Sequence, residues 1–396
     1  MKRNITISET TTTKINELPV EIVERKGLGH PDSLCDGIAA EISREYSRWC
    51  QKNLGVLLHH NFDKVQLVAG ESKVSFGEGA MIKPIRIQIA GRGTREYNGR
   101  AVPVDTLAIV TARNYLKKTV RNLDIDRHVV VDCFAGHGSS DLTNTVNRVK
   151  ANDTSFGVAH WPQSVLEHLV YETSQYLNTN LLYLYPIGED TKVMGCRRGV
   201  NISLTCAIPF IGPELKTAAH YLAVKKELTE KLTAFAKENV PAEITVSIEI
   251  NHADNPANGD YYLTLTGTSA ECGDDGQVGR GNRVTGFIAP FRPSSLEATC
   301  GKNAISHVGL IYNVLALTTA KRLVAEIPEV EEASVYLLSQ IGSPVSEPLM
   351  ANAVVRLKDK QLRGKVENKI HEVVDRSLAE VHKVTRDILD GKITLF

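Results

Sequence analysis

The chain has 396 residues, of which 42% are apolar and 23% are charged. This composition is that of an ordinary soluble globular protein, and the length predicts two or three domains. Lysine plus arginine and aspartate plus glutamate both number 46, so the formal net charge is zero. The balance argues against a partner held by bulk charge, such as nucleic acid or a membrane surface, and any polyanion site has to be local.

Seven cysteines are scattered through the chain without a C-x-x-C pair or an even framework. This pattern is typical of reduced, buried thiols and not of disulfides or a zinc site. The polar start, MKRNITISETTTTK, lacks the apolar segment of a secretion signal, and no uninterrupted apolar run is long enough to span a bilayer. We therefore expect a cytoplasmic protein.

Residues 4–24 are rich in isoleucine, threonine and valine, which is typical of strands. The next stretch, ERKGLGHPDSLCD at 24–36, combines charges with two glycines and a proline, and such residues do not build a core. Apolar residues recur at helical spacing after it. We therefore predict a helix over Leu34–Gln51, with Asp32 and Ser33 at its N-cap.

This turn has two interpretations. A helix N-terminus attracts anions, and an aspartate beside it can hold a cation that bridges to phosphate. His30 and Asp32 would then lie at the mouth of a phosphate site. A Gly-His-Pro-Asp turn is also an ordinary way to start a helix, and on its own this plainer interpretation is favoured.

Two further segments have polar residues of interest. His59 and His60 invite a metal-site interpretation, but neighbours on a strand point to opposite faces, so ordinary packing is favoured. The apolar strand His128–Cys133 runs into a glycine-rich segment that could cradle an anion, although it lacks the ending of a Walker A loop and a structural turn explains it nearly as well. This segment contains Gly136, His137, Gly138, Ser139, Ser140 and Asp141.

Between residues 151 and 210 two charged positions stand out. Asp153 starts a polar turn close to Phe156, whose ring either faces a ligand or packs in the core. Lys192 precedes the apolar pair Val193 and Met194 in a predicted strand, where a lysine usually points to solvent.

The second dense cluster of charges and glycines is ECGDDGQVGRGNR at 271–283. Two adjacent aspartates and two arginines in this cluster indicate Mg²⁺ ligation beside phosphate neutralisation. A charged surface loop is the plainer interpretation. Four glycines without low complexity count against it, because they indicate that the backbone shape is being used.

The remaining chain repeats a rhythm of paired strands followed by a long amphipathic helix, including a helix over Gln361–Leu389. We therefore predict an α/β (α+β) protein with three related modules of mixed or antiparallel sheet and long amphipathic helices. The approximate modules are residues 1–125, 126–240 and 241–396, and we expect them to interleave in sequence.

The strings GHPDSLCDG and GDDGQVGRGNR, with GHGSSDL and the Gly301–Lys302 pair, resemble the methionine adenosyltransferase (S-adenosylmethionine synthetase) family, in its archaeal form. The resemblance covers essentially the full chain and implies the fold of that family. It also implies a homodimer with its active site between subunits. Two residues depart from the archaeal pattern, because Ala304 stands in place of a proline and Leu310 in place of a lysine.

The resemblance also implies a set of site residues. Catalytic roles fall on His30, Lys192, Arg280 and Lys302. ATP-binding roles fall on Gly136, His137, Gly138, Ser139, Ser140, Asp141, Arg283 and His307. Methionine is assigned to Glu71 and Asp153, and Mg²⁺ to Asp32 and Asp274, while a K⁺ requirement stays open.

The implied reaction joins L-methionine and ATP. The methionine sulfur attacks C5′ of ATP in line, and the expelled triphosphate is hydrolysed to phosphate and pyrophosphate. A competing hypothesis is a regulatory protein of the same fold that binds ATP without catalysis. A third is a kinase or ligase of another fold, which the missing Walker A, HRD and DFG elements disfavour.

Overall fold

The computed structural model describes residues 3–138, 149–359 and 363–396. Within these ranges the chain forms eight α-helices and eighteen β-strands. The helices are α1 (Pro31–Leu54), α2 (Val104–Thr119), α3 (Ile125–His128), α4 (Val165–Thr179), α5 (Ala218–Glu238), α6 (Val308–Glu326), α7 (Arg363–Ala379) and α8 (Val381–Leu389). The strands are β1 (Ile5–Glu9), β2 (Val20–Lys26), β3 (His60–Val68), β4 (Glu71–Ser75), β5 (Glu78–Lys83), β6 (Ile85–Gly93), β7 (Glu96–Tyr97), β8 (Arg100–Ala101), β9 (Val129–Cys133), β10 (Phe156–Trp161), β11 (Lys192–Arg198), β12 (Asn201–Ala207), β13 (Phe210–Ile211), β14 (Thr245–Ile250), β15 (Leu263–Thr264), β16 (Gly276–Gln277), β17 (Val330–Leu338) and β18 (Met350–Leu357).

Three four-stranded sheets organise the described part of the chain. Sheet A has the order β1-β18-β17-β10, sheet B the order β14-β12-β11-β2, and sheet C the order β16-β3-β6-β9. Sheet A packs against α6 and α7, sheet B against α4 and α5, and sheet C against α1 and α2. Each sheet contains one parallel pair among antiparallel neighbours. The predicted α/β (α+β) class with mixed and antiparallel sheets is confirmed.

The sheets are assembled from strands that are far apart in sequence. Each of the three contains strands from all three predicted ranges, 1–125, 126–240 and 241–396. Sheets A and C share one apolar core, whereas sheet B closes over a second core. Each described sheet is therefore built from separate parts of the sequence. The three contiguous module ranges remain a prediction.

Helix α1 begins earlier than the sequence pattern predicts. It starts at Pro31, and His30, not Asp32 or Ser33, is the N-cap residue. The reason is that the proline ring presets the backbone angle of a first helical residue, and the imidazole of His30 then accepts the Asp32 backbone N–H. Asp32 thus lies in the first helical turn, where the helix dipole favours a negative charge.

The predicted C-terminal helix over Gln361–Leu389 is wrong as a single element. It is divided into α7 and α8 at Glu380, whose backbone leaves the helical region at φ −93° and ψ 12°. After this break α8 packs against α1, α6 and α7. Contacts with three other helices thus position α8 near the end of the chain.

Helix α6 is largely buried inside the protein. Among the described residues it alone has the length and composition of a membrane span, but 67% of its most apolar window is buried inside the protein. It packs against β10 and β17. These contacts identify it as the core helix under sheet A.

The packing of β10 on α6 leaves no space at Gly157. A Cβ atom there would lie 2.2 Å from the Tyr312 carbonyl carbon. We expect Gly157→Ala to lower the free energy of unfolding by about 3 kcal/mol, because the neighbouring atoms belong to backbone that cannot move aside. Gly364→Ala is the matched control, since its Cβ would meet nothing within 4 Å. Denaturant unfolding measures both, and equal stabilities would contradict the close packing.

Candidate active site

The facing ends of β2 and β11 place two lysines side by side. Lys26, the last residue of β2, is the direct antiparallel partner of Lys192, the first residue of β11. Like charges in opposed positions destabilise a sheet. The Glu24 carboxylate lies 3.8 Å from Lys26 Nζ and 3.5 Å from Lys192 Nζ, so one acid serves two ammonium groups. This edge of sheet B is therefore rich in positive charge.

Asp32 connects this edge to the start of α1. Its Oδ2 accepts a hydrogen bond from Lys26 Nζ at 2.9 Å, and its Oδ1 accepts one from the Gln277 backbone N–H at 2.9 Å. Lys26 Nζ also donates to the backbone carbonyl of Arg280 at 2.8 Å. The end of β2, the first turn of α1 and the loop around β16 thus meet at one carboxylate.

Two more carboxylates belong to this region. Partial burial and the negative charge of Asp32 raise the pKa of Asp274. Burial raises the pKa of Asp190 to about 7, although the Ser269 backbone N–H donates to it at 2.7 Å. Three acids therefore share one electrostatic environment with the two lysines.

Asp32 and Asp274 fit the ligand chemistry of Mg²⁺. Within the described ranges, no group of three histidine, cysteine or acidic side chains forms a complete metal cage. Magnesium in nucleotide sites normally uses one or two carboxylates and takes its other ligands from phosphate oxygens and water. A pair of aspartates beside several cations is consistent with that mode of binding.

The turn that carries Arg280 is held from two sides. Gly279 donates its N–H to Asp36 Oδ1 at 2.8 Å, while Arg283 donates to the carbonyls of Gly279 and Gly281 at 2.5 and 2.8 Å. These contacts fix the backbone on both sides of Arg280. The Arg280 guanidinium itself makes no hydrogen bond or ion pair with the described residues. Because Arg283 bonds to backbone carbonyls, its ATP-binding role remains a prediction.

His30 presents a neutral imidazole beside the lysines. Its Nδ1 accepts the Asp32 backbone N–H at 3.2 Å. Burial, together with the positive charge of Lys26, lowers the pKa of His30 to about 4. A neutral imidazole that accepts at Nδ1 carries its proton at Nε2. His30 is therefore a hydrogen-bond donor at neutral pH.

These residues form one group, which we name the His30 cluster. Five of its members were predicted from the sequence: His30, Asp32, Lys192, Asp274 and Arg280. The structure adds Glu24 and Lys26, and it places with them Asp190, which the family resemblance implies only as a supporting group near Lys192.

A second group surrounds the buried Lys302. Its Nζ lies 2.7 Å from Asp63 Oδ2 and 3.1 Å from Glu297 Oε1. His307 is also buried here, and burial together with the Lys302 charge lowers the pKa of His307 to about 3. We name Lys302, Asp63, Glu297, His307 and the neighbouring His59 the Lys302 cluster.

The predicted glycine-rich cradle borders the Lys302 cluster. A Cβ at Gly138 would lie 3.1 Å from the His59 ring, and His137 Nδ1 accepts the Arg95 backbone N–H at 3.4 Å. Gly136 pairs with β6 through hydrogen bonds to Gly91 and Gly93. The other three predicted members, Ser139, Ser140 and Asp141, lie outside the described residues.

The two clusters are separated within one chain. Asp32 lies in the first turn of α1, whereas the Ser43 hydroxyl donates to the Lys302 carbonyl at 3.0 Å. Eleven residues of α-helix between Asp32 and Ser43 span about 16 Å. The predicted catalytic residues therefore form two groups and not one.

Comparisons with known proteins identify the family of the chain. The family model described as S-adenosylmethionine synthetase (AdoMet synthetase) matches residues 3–392. Two S-adenosylmethionine synthases, from Methanothrix thermoacetophila and Pyrococcus furiosus, are each 45% identical to the chain, with all of both chains covered. The chain belongs to the S-adenosylmethionine synthetase family.

A solved structure supports the same fold. It is described as an unusual S-adenosylmethionine synthetase from Campylobacter jejuni, and it matches with a TM-score of 0.56 at 16% identity. The match covers 92% of this chain and 89% of that one. The predicted S-adenosylmethionine synthetase fold is confirmed. Family membership also confirms the prediction of an enzyme, namely a methionine adenosyltransferase.

Two residues expected to bind methionine in the S-adenosylmethionine synthetase family lie outside both clusters. Glu71 is on the β4–β5 hairpin, where its carboxylate pairs with Lys83 at 2.5 Å. Asp153 accepts the Thr154 N–H at 2.7 Å and is exposed. Its neighbour Asn152 bonds to the backbone next to His307, so Asp153 lies at the margin of the Lys302 cluster. Both methionine roles remain predictions.

Phe156 is 50% exposed, so its interpretation as a core residue is wrong.

The paired histidines have different neighbours. His60 contacts Ser43 Oγ at 2.7 Å, whereas His59 borders the glycine-rich segment.

Ala304 and Leu310, which depart from the archaeal pattern, are both buried in the core.

The sequence analysis missed Lys26 and Glu24 as site residues. Both lie in the charged string 24–36, but they precede its glycines: Glu24 ends the predicted strand region and Lys26 lies in the predicted turn, and neither was given a site role. The period of a strand does identify residues 24 and 26 as members of one face. Only the register with β11 shows that this face meets Lys192.

We expect the His30 ring to stay neutral, with its proton on Nε2, from pH 8 down to pH 5. Burial lowers the pKa of His30 to about 4, so the unfolded chain binds this proton more readily than the folded chain. The residue therefore reduces folding stability as the pH falls below about 6.5. Long-range ¹H–¹⁵N NMR of the imidazole, assigned with His30→Ala, measures the tautomer and the titration. A midpoint near 6.5 would contradict the burial argument.

Proposed function

We propose that the chain synthesises S-adenosyl-L-methionine from L-methionine and ATP, by in-line attack of the methionine sulfur on C5′ of ATP. The observation that supports this most is the set of cations in the His30 cluster. Lys26 and Lys192 are opposed on sheet B, and Arg280 sits on a clamped turn beside them. Like charges held side by side repel each other, and a bound polyanion would offset this repulsion together with the neighbouring carboxylates.

The leaving group explains why the cations are needed. Displacement at C5′ expels a triphosphate, whose negative charge is stabilised by cations that are already in position. Asp32 and Asp274 would hold Mg²⁺, which neutralises phosphate oxygens when it is bound. Lys26, Lys192 and Arg280 add positive charge that belongs to the chain itself. A K⁺ requirement stays open.

His30 has a role that fits its protonation state. Its Nε2–H is a donor in a buried position, so it can stabilise the oxygen that leaves C5′. The attacking group is a thioether, which has no proton to lose, and therefore no general base is required in this step. Positioning of sulfur and C5′ supplies the rest. We assign hydrolysis of the triphosphate to phosphate and pyrophosphate to the same site.

We further propose a homodimer in which each active site is shared. Asp32 and Ser43, which border the two clusters, lie about 16 Å apart along α1, although both clusters carry residues expected at one ATP site. A second copy can bring its Lys302 cluster to the His30 cluster of the first. Under this arrangement the glycine-rich segment and His307 bind ATP from one subunit, while Lys192 and Arg280 meet the triphosphate from the other. A cytoplasmic location, with no nucleic-acid or membrane partner, remains a prediction.

The first test is direct. The purified chain is incubated with ATP, Mg²⁺ and L-methionine, and products are followed by mass spectrometry and ³¹P NMR. We expect S-adenosylmethionine, phosphate and pyrophosphate in equal amounts, because displacement and hydrolysis occur at one site. Omission of methionine is the control for ordinary ATP hydrolysis. ATP binding without S-adenosylmethionine would support a regulatory protein and contradict the proposal.

The shared site predicts a specific pattern of complementation. Mixed dimers of His30→Ala and Lys302→Ala chains, isolated through two different affinity tags, are expected to keep about half of the wild-type activity. In such a dimer one site loses both residues and the other site keeps both.

Mixed dimers of His30→Ala and Arg280→Ala chains are the matched control. Both substitutions lie in the His30 cluster, so each of the two sites loses one residue, and we expect almost no activity. Equal activity of the two mixed dimers, or failure to isolate any mixed dimer, would overturn the shared-site arrangement.

A further inference from the structure

Lys26 is more tightly held than a surface lysine. The amide of Asn282 bonds to both its backbone N–H, at 3.0 Å, and its backbone carbonyl, at 2.9 Å. The side chain is only 11% exposed. Lys26 therefore occupies a fixed position at the end of β2, and its ammonium group reaches the His30 cluster from a rigid base.

The ammonium group of Lys26 has three oxygen neighbours. It donates to Asp32 Oδ2 at 2.9 Å and to the Arg280 carbonyl at 2.8 Å, and it lies 3.8 Å from Glu24 Oε1. Of these, the contact with Asp32 is the closest ion pair. Because the Gln277 N–H is bonded to the other oxygen of Asp32, each oxygen of that carboxylate already has a donor.

This geometry creates competition at Asp32. A divalent cation that binds this carboxylate has to share it with an ammonium group in hydrogen-bond contact. Lys192 differs, because its only ion-pair partner among the described residues is Glu24, at 3.5 Å. The two lysines are opposed on the sheet and share one carboxylate, Glu24, so a phosphate oxygen beside them would further offset their repulsion.

We propose that Lys26 is a catalytic residue that competes with the divalent cation for Asp32 and contacts the triphosphate during the reaction. The inference rests on the proposed function and extends it. In the free enzyme the ammonium group neutralises Asp32. With the metal and triphosphate bound, Asp32 would hold the metal, and Lys26 would donate to a phosphate oxygen in place of that carboxylate. The leaving group thus gains a cation that belongs to the chain.

A purely structural role would have different consequences. Lys26 also joins β2, α1 and the loop that carries Arg280, so a structural lysine would hold these segments together. Its loss would loosen Asp32 and weaken metal binding. Competition predicts the opposite change in metal affinity, because removal of the ammonium group frees Asp32 and strengthens metal binding.

The test uses Mn²⁺ alone as the probe, with the full chain and no nucleotide. Electron paramagnetic resonance measures the Mn²⁺ dissociation constant of the wild type, Lys26→Met and Lys26→Arg, and Asp32→Asn identifies the signal from this site. We expect Lys26→Met to bind Mn²⁺ about tenfold more tightly, since a charge-assisted hydrogen bond at Asp32 is removed. We expect its kcat to fall about 100-fold, since the leaving group loses a cation.

Two further variants serve as controls. Lys26→Arg keeps the charge, so its Mn²⁺ affinity should stay near that of the wild type and part of kcat should return. Lys226→Met is the matched control, because Lys226 is an exposed lysine on α5 with a distant partner, Glu230, and neither measurement should change.

Unchanged or weaker Mn²⁺ binding in Lys26→Met would overturn the proposal, and so would an unchanged kcat. Failure of the proposed function is distinguishable from this outcome. In that case the wild type would form no S-adenosylmethionine, while the Mn²⁺ comparison would still report on Lys26 and Asp32.

Discussion

The position of α1 depends on a turn that has no space for side chains. The Gly27 N–H donates to the Thr191 carbonyl at 2.6 Å, and the Gly29 N–H donates to the Glu189 carbonyl at 2.9 Å. A Cβ on either glycine would come within 2.4 or 2.7 Å of this facing segment. The turn is therefore held against the residues that lead into β11. This close approach determines where α1 starts and hence where His30 and Asp32 lie.

The position of that turn also determines which charged groups of the His30 cluster meet. Sheet pairing puts Lys26 opposite Lys192, and the start of α1 brings Asp32 to Lys26. A site that holds its cations in place before the substrate arrives avoids the reorganisation that water would require. The cost is repulsion between like charges, which the neighbouring carboxylates offset. Asp36 and Arg283 add rigidity, because they hold the backbone around Arg280.

The packing of the sheets explains why the two clusters lie apart within one chain. The His30 cluster lies where sheet B meets the start of α1, and the Lys302 cluster lies where β3 meets the segment before α6. Helix α1 packs along sheet C between them as a rigid element. The proposed shared site follows from this separation, because a rigid helix holds the two clusters apart within one chain.

Much of the His30 cluster could be predicted from local sequence. The strings at 24–36 and 271–283 could not form a core, so His30, Asp32, Asp274 and Arg280 stood out as functional residues. Helical spacing predicted α1, although the helix runs to Leu54 and not Gln51. Its cap was misplaced because a histidine is a rare cap and its contact with Asp32 is local but not periodic. The fold class followed from the repeated rhythm of strands and helices.

By itself the sequence determined the chemistry available: cations, carboxylates and glycine-rich turns at fixed places along the chain, and the elements that carry them. Only the tertiary structure decided which of these groups meet. The register of β2 with β11 selected Lys26 as the partner of Lys192, and the length of α1 separated Lys302 from His30. The physical reason is that periodicity and turn preferences act over a few residues. Strand register and the separation of clusters arise from contacts between residues more than a hundred positions apart, which no local pattern encodes.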